Sequence, residues 1–256
     1  MERNEVAEDA FKDLEAKSAQ EVLAWALERY HPRLAFASSF GAEDVVVIDM
    51  LARIRTDARI FTLDTGRLHE ETYEVMEAIR KRYGVTIESY FPERAAVETL
   101  EREKGLYSFR ESIANRKECC TIRKVEPLNR ALSGLDAWVS GLRRDQAVTR
   151  GTLAKIEPDA PRPGLTKINP IADWSVDQVW AYIKENDVPY NKLHDRNFPS
   201  IGCSPCTRPV AAGEDIRAGR WWWELPEQKE CGLHVNHPAR AAESRPGAND
   251  DKAAAS

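Results

Sequence analysis

Five cysteines carry the reactive chemistry of this 256-residue chain, and they fall into two pairs and a single. Cys119 and Cys120 are adjacent in NRKECCTIRK, Cys203 and Cys206 close the turn GCSPC, and Cys231 stands apart in KECGLHVN. An adjacent pair and a CxxC pair can converge on one soft metal centre, which leaves Cys231 as the thiol available for chemistry. Zinc bound by four cysteines normally uses two CxxC-like knuckles, and side chains of successive helical residues diverge by about 100°. A 4Fe-4S cluster spreads its attachment points over a larger cube, so neighbouring thiolates can reach different irons. The cluster is therefore the expected cofactor, with zinc as the alternative. An odd cysteine count in a reducing compartment speaks against a disulfide framework.

Cations gather near these thiols in the sequence. Lys124 lies four residues past Cys120, so a helical TIRKV would place its ammonium on the face of that thiolate. Arg143 and Arg144 follow the apolar run AWVSGL, and their planar forks suit sulfate or phosphate oxygens. Arg217 and Arg220 precede three consecutive tryptophans, Trp221, Trp222 and Trp223, and His234 is three residues past Cys231. The stretch from Arg110 to Arg150 holds nine bases against five acids, on a chain of formal net charge -5. A basic patch on an acidic protein points to an anionic small molecule or metal cluster rather than to nucleic acid, whose binders tend to be basic along a whole face.

Two loops could receive the anion. Ser38, Ser39 and Gly41 form a small-residue turn between a strand and a helix, where amides, hydroxyls and the helix dipole favour negative charge. Asp64, Thr65 and Gly66, in LDTGRLHEET, end the next strand and so fall at the same sheet edge. Side by side, such loops make a nucleotide pocket.

The elements that must position these residues alternate. Ser18 and Glu21 form a capping box ahead of VLAWAL, in a first helical segment spanning 1–30. RLAFAS, ARIFTLD, VTIESY and AWVSGL read as strands, with helices over VVVIDMLARI, LHEETYEVMEAIRKRY and AAVETLEREK between them. Ser175 and Gln178 cap a further helix, VDQVWAYIKEN, while the four prolines between Gly151 and Pro170 predict an irregular crossing loop. This alternation predicts an α/β fold, a mostly parallel sheet with helices on both faces, over 31–206. Residues 207–236 read as a mobile arm carrying Cys231, and 237–256 as a disordered tail. Packing the arm onto the body is the expected use of the three tryptophans.

No apolar run approaches the roughly 18 residues that cross a bilayer, and the N-terminus MERNEVAEDA is acidic where a signal peptide would be basic. A cytoplasmic protein with no membrane or nucleic-acid partner is expected. Homo-oligomerisation is left open.

The two loops resemble those of the adenine nucleotide alpha hydrolase-like fold, although the SGGxDS loop of its ATP pyrophosphatases here reads SSFGAED, which fits a nucleotide with fewer phosphates. An adjacent CC, then GCxPC, then a terminal ECGLH is similar to the assimilatory adenosine 5'-phosphosulfate reductases, over Leu34 to His234. The related 3'-phosphoadenosine phosphosulfate reductases share LDTGRLHEET and ECGLH but generally lack both cysteine pairs. The resemblance implies that Cys119, Cys120, Cys203 and Cys206 ligate a 4Fe-4S cluster and that Cys231 is the nucleophile. It further implies that Lys124, Arg217, Arg220 and His234 contact the phosphosulfate, and that thioredoxin is the reductant. Reduction of the 3'-phosphorylated substrate, an ATP-using adenylating or thiolating enzyme on the same fold, and a cluster-bearing sensor without turnover are the competing readings.

The chemistry is consistent with that family. Sulfur in a phosphate–sulfate anhydride is electrophilic and AMP leaves well, so a thiolate can become S-sulfonated. Glu224, Glu227 and Glu230 would raise the Cys231 pKa, while Lys229, His234 and the arginines would lower it once the arm closes. With four thiols committed to a cluster, no resolving cysteine remains, and an external thiol must release sulfite.

Overall fold

The computed structural model describes residues 11, 13–146 and 150–225. Helix α1 (Ala19–Tyr30) starts at the predicted capping box: the Ser18 hydroxyl accepts from the Glu21 amide, and the Glu21 carboxylate accepts from the Ser18 amide. Strand β1 (Leu34–Ala37), helix α2 (Ala42–Ile54), strand β2 (Arg59–Leu63), helix α3 (Glu70–Tyr83), strand β3 (Ile87–Tyr90) and helix α4 (Arg94–Lys104) then alternate as the hydrophobic pattern predicts.

Helix α5 (Ile113–Cys120) carries the adjacent cysteines on its last turn, runs through a π-helical stretch at Thr121–Val125, and continues as helix α6 (Glu126–Leu132). Ser112, whose hydroxyl accepts from the Asn115 amide, starts α5. Strand β4 (Ala137–Val139) follows, then β5 (Ile156–Pro158), β6 (Thr166–Ile168) and helix α7 (Val176–Glu185), which begins at the predicted Ser175–Gln178 capping box.

The six strands lie in the order β3-β2-β1-β4-β6-β5, all parallel except β5, which runs antiparallel to β6. The expected irregular loop between Gly151 and Pro170 is thus corrected to a hairpin that extends the sheet. Pro158 ends edge strand β5, where a missing N–H does no harm. Trp138, on β4, donates its indole N–H to Asp159 at 2.8 Å and so fastens the hairpin to the sheet.

The larger core lies between the sheet and α1, α2 and α7, where Val45, Val46, Val47 and Ile48 are fully buried; α6 covers the other face through Leu128, Ala131 and Leu132. Such continuous apolar runs are what a helix buried all round requires. Because β1, β2 and β4 are parallel neighbours, the loops that follow them emerge at one edge. That edge holds the candidate site. No helix among the described residues is long and apolar enough to cross a membrane.

Candidate active site

The two cysteine pairs, 83 positions apart between Cys120 and Cys203, line one cavity of about 370 Å³ counted out to its open mouth. Cys119 and Cys120 come from the end of α5, Cys203 and Cys206 from a 3₁₀ turn that starts after Gly202. None of the four is in a disulfide. Among the described residues no group of three or more His, Cys, Asp or Glu side chains closes on one point as the ligands of a single ion would. The rest of the lining is Arg67, Phe109, Arg116, Arg123, Lys124, Arg220 and Trp221.

The π-helical stretch directly after Cys120 brings Lys124 to this cavity by a wider turn than the α-helical one expected. Burial pushes the Cys206 thiol up to about 12, with the neighbouring Cys203 adding to the rise and Lys124 and Arg220 opposing it. Cys119 is raised mainly by burial as well, against the pull of Arg123 and Arg67. Desolvation therefore keeps both thiols protonated despite the surrounding cations.

The loop after β2 joins this cavity to the sheet edge. Thr65, 1% exposed, has its hydroxyl 3.3 Å from Cys203 Sγ, and its carbonyl accepts from Arg123 at 2.7 Å. Asp64 accepts from the Gly66 amide at 2.8 Å and from the Tyr73 hydroxyl at 3.1 Å, and the Arg67 carbonyl accepts from the Ser204 amide. Arg67 and Arg123 share Glu101 as their carboxylate partner. Arg67 and Arg123 are residues that sequence reasoning missed, although both flank motifs it had singled out.

The described part of the arm packs against the body at its root. It folds back through an antiparallel bridge between Thr207 and Arg220, and the Trp221 amide donates to the Cys206 carbonyl. Trp221, 1% exposed, lies between two guanidiniums, Arg116 at 4.9 Å and Arg220 at 4.7 Å from its ring centroid. The packing role expected for the tryptophans is the one Trp221 has. Arg220 sits over Gly202 so closely that any Cβ there would collide with its guanidinium. Glu224, expected to raise the Cys231 pKa, is instead held by Arg116 in a bidentate pair at 2.9 and 2.8 Å, with both side chains almost fully buried. Arg217, half-buried, lies on the same segment. Cys231 and His234 lie outside the described residues, as does the tail from 237 on.

Arg143 and Arg144 each pair with a carboxylate of the protein. Arg143, 2% exposed, donates to Glu43 at 3.0 and 2.8 Å and to the Trp174 carbonyl. Arg144 donates to the Leu153 carbonyl and to Glu15. The apolar strand end that drew attention to them delivers them to Glu43 and Glu15.

The loop after β1 is also occupied from within. The Ser39 amide and hydroxyl both donate to Asp44 Oδ2, at 2.5 and 2.8 Å, and Ser38 accepts from the Phe40 amide. Phe40 is fully buried with φ of +58°, a conformation that costs a non-glycine residue free energy and clusters at functional loops. Burial pushes Asp44 up to about 6, partly offset by its hydrogen bonds from Ser39.

Comparison with known proteins places this arrangement. Residues 33–209 match the phosphoadenosine phosphosulfate reductase domain. An adenosine 5'-phosphosulfate reductase of Allochromatium vinosum is 52% identical over 223 residues, 87% of each chain. The chain belongs to the phosphosulfate reductase family. A solved phosphoadenylyl-sulfate reductase of Candida auris, in a phosphate complex, aligns with a TM-score of 0.67 and 32% identity over 79% of this chain and 95% of that one. An FMN adenylyltransferase of Candida glabrata, solved with ATP, shares the fold alone, with a TM-score of 0.53 and 15% identity over 83% of this chain and 72% of that one. The sheet is therefore of the adenine nucleotide alpha hydrolase-like kind, as the loops predict. In this chain the two cysteine pairs meet in one cavity next to the LDTGR loop.

Proposed function

We propose that this chain reduces adenosine 5'-phosphosulfate to sulfite and AMP in sulfate assimilation, through an S-sulfonate on Cys231. The observation that carries the reading is the convergence of both cysteine pairs with Lys124, Arg220 and Thr65 at the nucleotide edge of the sheet, in a chain 52% identical to an adenosine 5'-phosphosulfate reductase.

Cys119, Cys120, Cys203 and Cys206 hold a 4Fe-4S cluster in this reading. The donor set fits: four thiols, none of them in a disulfide, line one cavity with cations that offset thiolate charge. The cluster, when bound, ties the end of α5 to the 203–206 turn and adds a charged centre beside the substrate.

Lys124 and Arg220 present cationic groups to the phosphosulfate, with Arg217 and His234 completing the contact from the arm. Ser38, Ser39, Gly41, Asp64, Thr65 and Gly66 shape the nucleotide edge, and Arg143 and Arg144 brace it through Glu43 and Glu15. The Cys231 thiolate attacks the sulfur of the anhydride, the S–O bond breaks, and AMP leaves with the electron pair. One thiolate of an external dithiol then attacks Cys231 Sγ and expels sulfite. The second thiol resolves the mixed disulfide, so the two electrons come from the dithiol, of the thioredoxin kind.

The test is intact-mass analysis and peptide mapping of anaerobically purified protein mixed with adenosine 5'-phosphosulfate without reductant. A sulfonate on Cys231, absent from Cys231→Ser and released as sulfite by thioredoxin, is the expected result. A cluster-replete sample with no adduct would overturn the covalent mechanism.

A further inference from the structure

The loop after β1 holds an anion of the protein's own. Asp44, in the first turn of α2 and 8% exposed, takes the Ser39 amide and hydroxyl. Across from it lies Gly141, two residues past the end of β4. A Cβ at Gly141 would collide with Asp44 Oδ1 and fall 3.3 Å from the Asp44 amide nitrogen and from Glu43 Cβ. A glycine is needed there by this close approach.

The topology gives the contact its meaning. From β1 the chain moves outward through β2 to β3, then returns to β4 on the opposite side of β1. The crevice between the loops after β1 and β4 is thus the topological switch point, where open parallel sheets receive their ligands. A carboxylate stands in that crevice, using loop donors that would otherwise face a phosphate. The adjacent Glu43, paired with Arg143, is a second carboxylate on the same helical turn.

We propose that Asp44 is a specificity-determining residue: its carboxylate, seated in the switch-point crevice by Ser39 and Gly141, turns polyphosphate chains longer than the two anionic groups of the substrate away from the nucleotide site. The inference rests on the nucleotide reading of this edge. It supplies a repulsive element, the component by which specificity is commonly set against a competitor that shares most of the wanted ligand.

The experiment is equilibrium binding of AMP, ADP, magnesium-free ATP and inorganic pyrophosphate to anaerobically purified wild-type protein, Asp44→Asn and Gly141→Ala. Asparagine keeps an oxygen for the Ser39 donors and removes the charge; the alanine methyl displaces the carboxylate by bulk. Wild-type protein should bind AMP and ADP, and should bind ATP at least about tenfold more weakly than ADP. Asp44→Asn should close that gap by about tenfold, with AMP and pyrophosphate, neither longer than two anionic groups, within about threefold of wild type. Should one variant lose its cooperative melt, the other carries the same outcomes. AMP binding that persists while the ATP-to-ADP ratio stays unmoved overturns the proposal and leaves the nucleotide reading standing. Wild-type protein that binds no AMP overturns that reading, and the proposal with it.

Discussion

Replacing Arg116 by Met removes one half of a buried ion pair and one of the two cations stacked on Trp221. The Arg116 and Glu224 side chains are 1% and 3% exposed, and their fork-to-fork contact is bidentate. Removing one partner of such a pair leaves an uncompensated buried charge, at about 3–5 kcal/mol. Removing both, as in Arg116→Met with Glu224→Leu, should restore most of that, because a buried pair contributes little beyond an apolar replacement. At about 2–4 °C per kcal/mol for a chain of this size, the single variant should melt on the order of 10 °C lower. If the arm root undocks first, the global loss is capped at the free energy of that local opening, and trypsin cleavage at Arg217 and Arg220 rises instead. The assays are thermal melting and timed proteolysis of anaerobic wild-type, single and double variants. A single variant unchanged in both, or a double variant as damaged as the sum of the singles, would refute the account of Arg116 and Glu224 as a coupled buried pair.

Further outcomes follow from the same geometry. Asp44 titrates at about 6 in the fold against an ordinary 3.8, so the folded state binds its proton more tightly. The stability it contributes is full below the unfolded value and is lost as pH rises through 6, leaving a penalty on the order of 3 kcal/mol at neutral pH. Denaturant titrations should therefore find Asp44→Asn gaining on wild type between pH 5 and pH 8, and a gap that narrows with rising pH would contradict this. Asp49, fully buried, accepts from Tyr83 at 2.8 Å, Tyr182 at 2.6 Å and Arg53 at 2.8 Å. Tyr182→Phe should cost about 1–3 kcal/mol by urea unfolding, whereas Asp49→Ala, which orphans two hydroxyls at once, should cost more. Anaerobic protein should carry about four irons and as many labile sulfides per chain. Cys206→Ser should lower that content and the visible absorbance together, and an unchanged iron-to-protein ratio would remove Cys206 from the ligand set.

Much of the fold was legible because it rests on local signals. Both capping boxes, at Ser18 and Ser175, start helices where the sequence places them, and the alternating apolar runs give the parallel strands. The hairpin of β5 and β6 was not legible: three-residue strands broken by proline carry no period, and they pair only because β4 offers an open edge. The helices on either side of the cysteine pair were missed for a related reason, since NRKECCTIRK is polar and its π-helical turn is set by packing on the site.

Residue types and their spacing fixed the chemistry that this chain can do: two cysteine pairs, a spare thiol in ECGLH, and small-residue loops at strand ends. These survive as inferences because a side chain's reactivity is its own, and because strand-to-loop connections follow from local hydrophobic pattern. Tertiary structure alone decided which groups each charge meets. Arg143, Arg144 and Glu224 look alike in sequence with Lys124 and Arg220 as groups near the chemistry, yet the fold engages the first three with Glu43, Glu15 and Arg116 and turns the last two to the cysteine cavity. Likewise Asp44 reads as one more helix acid until β4 brings Gly141 against it. Which partner neutralises a charge depends here on chain segments 100 to 129 residues away, and no local pattern encodes that distance.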